Sequence, residues 1–506
     1  MELELNRTAL PYHDLIFHTQ VTREETMEMI VPDAYPDISK LLDTSGICCL
    51  NTREASEGTV SLAGRIRCRI LYLPEEDNGE INSLGADLDF QCSVDQEGLT
   101  AECHVVAIPR ILSAETKAIN PRKMLIRVNY EIAVRAYRQD TLMVPCGVLE
   151  PGVVEEKQEQ AEGYFVVAVP EKRFQFQDQL NLSGSQPAMA EILRIHPDVT
   201  CGEAKLIGGK LVFKGEVSLW TLYRSVDHDI LVTEFVLPFS QIMDAPETEE
   251  TAEFQLEATL LDWTLGELSG DGRSLAVEVD LYACAEIRTR RSLPLLADAY
   301  SVRGPVQTEF ATFMFPQLVD RSLRRETKRE LLETGGKDVS VLDVRCTVVQ
   351  TSVTKSPEQL VFKAGVQAEL LCVDEDGTVE RLSRHLTLES EAPVTGDVEA
   401  RVSCTLTEGT ALPAANGVEL RVGVAFQTLV LRREERLCIS ALELDESTSQ
   451  EQDSRPSIVL RQMIEGESLW DIAKAYATTI SEIRQANGME EESAEPGQLL
   501  LIPHKR

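Results

Sequence analysis

The feature that most constrains this chain is that it repeats itself at intervals close to 150 residues. Leu211-Val-Phe-Lys-Gly-Glu-Val217 recurs as Leu360-Val-Phe-Lys-Ala-Gly-Val366, 149 positions later, and Val60-Ser-Leu-Ala-Gly-Arg-Ile66 stands 151 positions before the middle copy. A second landmark keeps the earlier offset, with Tyr35-Pro-Asp-Ile-Ser-Lys-Leu-Leu42 aligning with Gln186-Pro-Ala-Met-Ala-Glu-Ile-Leu193. Two separate landmarks at one spacing define a repeat, and a unit of this size is a domain rather than a solenoid turn.

A third landmark closes each unit. Leu125–Val134, Leu275–Leu281 and Leu420–Phe426 largely alternate apolar and polar residues. Period two over that length reads as half-buried strand. Asn78-Gly79 and Asp376-Gly377 sit where tight hairpins belong. The expected fold class is therefore mainly β, with three tandem antiparallel β-rich domains at 1–150, 151–310 and 311–444. Short helices are expected near Ile38–Leu42 and Met189–Leu193. The third copy departs: it lacks the Pro landmark, and Ser322–Glu333 reads as a longer charged helix.

Composition excludes several functions. The 49 Lys plus Arg face 84 Asp plus Glu, a formal net charge of -35. Such a chain lacks the basic stripe that displaces counterions from phosphates, so nucleic acid is not a partner, and anionic membrane surfaces are disfavoured. No apolar run approaches the roughly 18–20 residues that span a bilayer. Met1–Leu10 lacks the basic-then-apolar layout of a signal peptide, so a cytosolic location is expected. The 12 cysteines include no CxxC pair, and each reads as a buried, reduced, structural residue. Cys48 and Cys49 should point to opposite faces of one strand.

After Leu444 the composition changes. Residues 445–456 are polar and acidic and are expected to form a flexible linker. A small domain follows at 457–506. Ile458–Met463 can be a strand, and Ser468 with Asp471 spells a capping box ahead of Leu469, Ile472, Ala473 and Tyr476 at helical spacing. Thr479 repeats the device with Glu482, and Asn487-Gly488 stops the second helix. Pro496-Gly497 turns into a last strand, Leu499–Ile502, completing a βααβ order.

That order, with Gly466-Glu-Ser-Leu-Trp-Asp-Ile-Ala473, Asn487 and Pro496-Gly-Gln-Leu-Leu-Leu-Ile-Pro503, resembles a LysM domain. The resemblance implies binding of N-acetylglucosamine polymers in a groove between two loops, here Gly466–Trp470 and Gly488–Gln498. Carried onto this chain, the groove residues are Gly466, Glu467, Ser468, Leu469, Trp470, Lys474, Asn487, Gly488, Pro496, Gly497 and Gln498. Gly466, Pro496 and Gly497 serve turns and Leu469 the core whatever the ligand, which leaves Trp470 and Lys474 as the side chains able to project outward. The second loop carries Glu490, Glu491 and Glu492, a run that suits a basic or polar protein surface better than a sugar.

Ile30-Val-Pro-Asp-Ala-Tyr-Pro-Asp-Ile-Ser-Lys-Leu-Leu42, followed by the strand Leu62–Tyr72, is similar to the SPOCS domain, as are the matching pieces of the second unit and, less clearly, of the third. With one C-terminal LysM domain, the chain resembles spore-coat morphogenetic proteins of the SipL/SpoVID type. The resemblance implies a non-enzymatic scaffold in the mother-cell cytosol, at the forespore surface, whose LysM domain recruits a coat morphogenetic ATPase. Other coat proteins are possible partners of the β domains. The alternative is a peptidoglycan-binding cell-wall protein.

A search for chemistry yields no catalytic residue, metal site or cofactor. Gly208-Gly-Lys210 and Gly335-Gly-Lys337 lack the rest of a phosphate loop and read as turns. Leu182–Gln186 lacks the frame of a nucleophile elbow. The seven histidines, His13 and His18 among them, form no zinc pattern. Asp374–Thr378 begins like a calcium loop, but its twelfth position is His385, where a bidentate Glu is required, so a hairpin turn is the better reading.

Overall fold

The computed structural model describes residues 1–75, 80–335, 338–414, 417–445, 458–491 and 494–503. A short β1 (Glu2–Leu3) pairs antiparallel with Leu442–Glu443 of the third unit, and the first unit comprises β2 (Leu5–Ile30), β3 (Ile38–Ser56), β4 (Thr59–Pro74), β5 (Asn82–Asp95), β6 (His104–Asn120) and β7 (Lys123–Val148). The second comprises β8 (Glu155–Ala168), β9 (Glu171–Asn181), β10 (Met189–Ile207), β11 (Lys210–Ser225), β12 (Ile230–Asp244), β13 (Glu253–Leu268) and β14 (Ser274–Tyr300). The third runs through β15 (Val306–Glu333), β16 (Val339–Lys355), β17 (Gln359–Asp374), β18 (Val379–Pro393), β19 (Glu399–Ala414) and β20 (Gly417–Leu444).

All three share one topology. The lead-in strand pairs antiparallel with the last strand, the penultimate strand takes its other edge, and the three middle strands form a meander. The two sheets share one core in each unit: Leu62 and Ile66 of β4 join Ile126 and Val128 of β7, Phe213 and Val217 join Val277 and Val279, and Phe362 and Val366 join Leu420 and Val422. The alternation read in the sequence is thus the inward face of a two-sheet sandwich. The lead-in strand also kinks at matching places. Register shifts at Leu15/Phe17 in β2 and Leu318/Asp320 in β15 correspond to the outright break between β8 and β9, where Pro170 cannot donate to a ladder.

The expected helices are strands. Ile38–Leu42 opens β3 and Met189–Leu193 opens β10. Register shifts at Ile38/Lys40 and Leu41/Asp43, and at Met189/Glu191 and Ile192/Arg194, interrupt the alternation and imitate helical spacing. Ser322–Glu333 lies in β15, paired residue by residue with Thr428–Gly417 of β20. Its charged residues favour a helix in isolation, but a full-length ladder with a buried neighbour overrides local propensity.

The third unit nevertheless differs where its landmark is missing. Tyr72 donates its hydroxyl to the Pro36 carbonyl and Tyr223 to that of Pro187, each at 3.3 Å. At the corresponding place in β17 stands Cys372, and a small open cavity lies against it, lined also by Val339 and Leu382. Proline landmark and tyrosine are therefore lost together.

The units close on one another. Leu42, Leu193 and Leu342 are equivalent positions, as are Leu71, Leu222 and Leu371, and Ile81, Ile230 and Val379; all nine meet in one apolar layer. Beside it the equivalent residues Asp43, Arg194 and Asp343 form a buried cluster in which Arg194 pairs with both carboxylates. Arg345 adds a contact to Asp43 at 3.0 Å, and Arg381 one at 3.4 Å. Burial pushes the Asp43 carboxyl up, but Arg345, Arg194 and Arg381 outweigh it and hold it at about 2. Three identical chains around an axis would place like charges there; one chain with diverged repeats places an arginine between two aspartates.

All 12 cysteines carry free thiols. Cys48 belongs to the first unit's core and Cys49 to the second's, so their opposed side chains face two domains. The Asp376-Gly377 hairpin forms, with Gly377 at φ 78 and the Thr378 carbonyl accepting from Asp374 N at 3.1 Å. Asn78-Gly79, Gly336-Lys337 and nearly all of the expected linker lie outside the described residues. No helix among the described residues is long and apolar enough to cross a membrane.

Candidate functional site

The C-terminal module is built from β21 (Ile458–Gln462), α1 (Leu469–Ala475), α2 (Ile480–Asn487) and β22 (Leu499–Pro503). Both capping boxes form. Asp471 N donates to Ser468 Oγ at 3.2 Å while Ser468 N donates to Asp471 Oδ2 at 2.9 Å. Glu482 N donates to Thr479 Oγ1 at 3.1 Å, and Thr479 N returns to Glu482 Oε2 at 3.3 Å. Gly488 ends α2 in the left-handed conformation, φ 63, which suits a residue without Cβ. Leu469, Ile472, Ala473 and Ile483 pack against Leu500 and Ile502 of the two-stranded sheet.

Backbone bonds tie the second expected groove loop to the residue that follows β21: Gly497 N donates to the Met463 carbonyl and Met463 N to that of Gln498, each at 2.9 Å. Most of the candidate residues also have a structural task. Gly466 takes φ 85 in open space, and Glu467 is paired with Arg461 at 2.5 Å. Ser468 caps α1, and Leu469 is buried. Asn487 ties α2 to β22 by donating to the Leu501 carbonyl and accepting from Leu501 N, both at 2.7 Å. Pro496 and Gly497 are exposed in the turn, and Gln498 is half-buried.

Trp470 is buried and Lys474 stays exposed, yet both reach beyond the module. One turn apart on α1, they converge on a single carboxylate of the second unit. Trp470 Nε1 donates to Asp298 Oδ2 at 2.8 Å, and Lys474 Nζ donates to Oδ1 at 2.6 Å and Oδ2 at 2.8 Å. Tyr300, two residues further along β14, sets its ring edge against Trp470, with centroids 4.9 Å apart at 72°. Its hydroxyl donates to the Thr478 carbonyl at 2.8 Å, and its ring joins the module's own core. Burial pushes the Asp298 carboxyl up, but the bonds from Lys474 and Trp470 dominate and leave it below the usual carboxylate range.

Sequence reasoning missed Asp298 and Tyr300. They stand in a strand beyond the landmark motifs, where any residue with a polar end reads as strand surface. One signal was available: 151 positions earlier stand Gly147 and Leu149, so the pair is not part of the repeat.

Elsewhere the motif fragments are structural. Gly208 and Gly209 form the β10–β11 turn with φ 55 and 72, and Ser183 and Ser185 bond each other at 3.0 Å. Among the described residues no group of three or more His, Cys, Asp or Glu side chains could hold a metal ion.

The family comparisons agree with this architecture. The SipL, SPOCS domain matches residues 37–119 and 188–266, and the LysM domain matches residues 464–503. The SPOCS matches begin where β3 and β10 begin, run through each meander, and leave the third unit unmatched despite its shared topology. These are binding domains of non-catalytic kinds, tied respectively to spore-coat assembly and to glycan recognition. Neither a curated protein nor a solved structure matches the chain significantly.

Proposed function

We propose that this chain, a SPOCS and LysM domain protein of the SipL/SpoVID type, is a non-enzymatic scaffold that recruits a coat morphogenetic ATPase to the forespore surface through its LysM domain. The observation that carries the reading is the joining of SPOCS domains to one LysM domain in a single chain. The contacts of the module support a protein ligand. Its two outward-reaching side chains, Trp470 and Lys474, are satisfied by a carboxylate and a tyrosine, groups that a protein surface offers and an uncharged glycan does not. The SPOCS units act as the anchor, and attachment through the chain raises the concentration of the module near its partner. Other coat proteins would bind along the β domains.

Capture of the coat ATPase by the full chain, compared with a chain ending at residue 445, tests the proposal. Undiminished capture by the shortened chain would sink it. The second reading, a peptidoglycan-binding wall protein, is favoured by the LysM match. It predicts co-sedimentation of the chain with insoluble peptidoglycan and no capture of the ATPase.

A further inference from the structure

We infer that the Trp470–Lys474 face of the LysM domain recognises an extended protein segment carrying a carboxylate and, two residues on, an aromatic ring, and that Asp298-Ala299-Tyr300 is the chain's own occupant of that face. The inference rests on the reading of the module as a protein-binding domain and names the chemistry it reads.

The geometry is that of ligand and receptor. Residues two apart on a strand project to the same side, so Asp298 and Tyr300 reach the module as a unit from the end of β14. Residues four apart on a helix share a face, so Trp470 and Lys474 meet them together. The carboxylate takes three donor contacts from the module. The ring enters the module's core and its hydroxyl finds the Thr478 carbonyl. The face thus distinguishes charge, aromatic shape and a hydroxyl at fixed spacing.

Two observations make the occupant exchangeable. Asp298 and Lys474 keep a quarter and nearly half of their side-chain surface in water, where an ion pair is weak. The module follows the third unit in the chain, while the carboxylate and ring that hold it belong to the second, so the contact is not imposed by adjacent chain. An incoming segment of the same chemistry therefore competes directly with Asp298 and Tyr300, and a partner engages this face only when the module leaves β14.

The test uses the full chain and a fluorescent peptide with the sequence Leu-Leu-Ala-Asp-Ala-Tyr-Ser-Val, residues Leu295–Val302. The unaltered chain is expected to bind it about tenfold more weakly than Asp298→Asn does, because apparent affinity falls with the fraction of open faces. Tyr300→Phe, which removes only the hydroxyl, is expected to lie between them, and it guards against a folding defect in the first variant. Adding Lys474→Ala to Asp298→Asn should abolish binding, and a peptide with Asn for its Asp should not bind. Equal affinities for the unaltered chain and Asp298→Asn, or no binding by either variant, would overturn the inference. Displacement of the peptide by N-acetylglucosamine oligomers, without displacement by excess unlabelled peptide, would overturn the ligand class. No coat protein enters the assay, so its failure is distinct from failure of ATPase recruitment.

Discussion

In the closed set of three units the contacts that define the fold are remote in sequence: Leu5 opposes Val148, and Val306 opposes Leu444. In the LysM module the decisive contacts are local, with each helix started by a side chain and a backbone group three residues apart. The units depend on a shared apolar layer and a buried ion cluster that no single unit possesses. The module depends on caps and a core that its own residues nearly complete, with Tyr300 supplying the last piece. The difference teaches that the first 444 residues should respond to damage as one body, and the module largely by itself.

The largest expected effect comes from Arg194→Ala, which strips Asp343 and Asp43 of the cation between them and leaves buried carboxylates underpaired. The loss should be about 3–5 kcal/mol in chemical denaturation, felt by all three units in one transition and not by the module. Separate transitions for the units would break the comparison. Leu222→Ala in the axial layer should cost about 3 kcal/mol, again in the transition of the whole set.

Acid should act in the same place. Asp43 titrates at about 2 against an ordinary 3.8. Its contribution is complete above the unfolded value and disappears as pH falls through the folded one, about 2 kcal/mol lost between roughly pH 4 and pH 2. Denaturation curves across that range should show the slope, and Asp43→Asn should flatten it. Smallest are the caps: Ser468→Ala or Thr479→Ala should each cost about 1 kcal/mol. That loss should be visible only in helical circular dichroism and melting of the module.

The module was legible almost residue by residue because its signals are short range. A capping box, an apolar i, i+3, i+4 pattern and an Asn-Gly stop each operate within one or two turns, and all appear where the sequence places them. The strands of the units were legible as alternation and as repeats. The helices expected at Ile38–Leu42, Met189–Leu193 and Ser322–Glu333 were not helices, since bulges disguise the period of a strand and a ladder partner nearly a hundred residues away outweighs local preference. What was not legible among the candidate groove residues is their division of labour, which makes Asn487 a brace and Trp470 with Lys474 a clamp on Asp298.

The sequence by itself determined the mainly β class, the three repeats and the capped βααβ module, because spacing, periodicity and capping are properties of neighbouring residues. Only the tertiary structure decided that equivalent leucines meet in one layer, that Asp, Arg and Asp share one repeat position as a bonded cluster, and that β14 occupies the LysM face. Those outcomes depend on which distant surfaces come within a few ångströms of each other, and no local pattern encodes that.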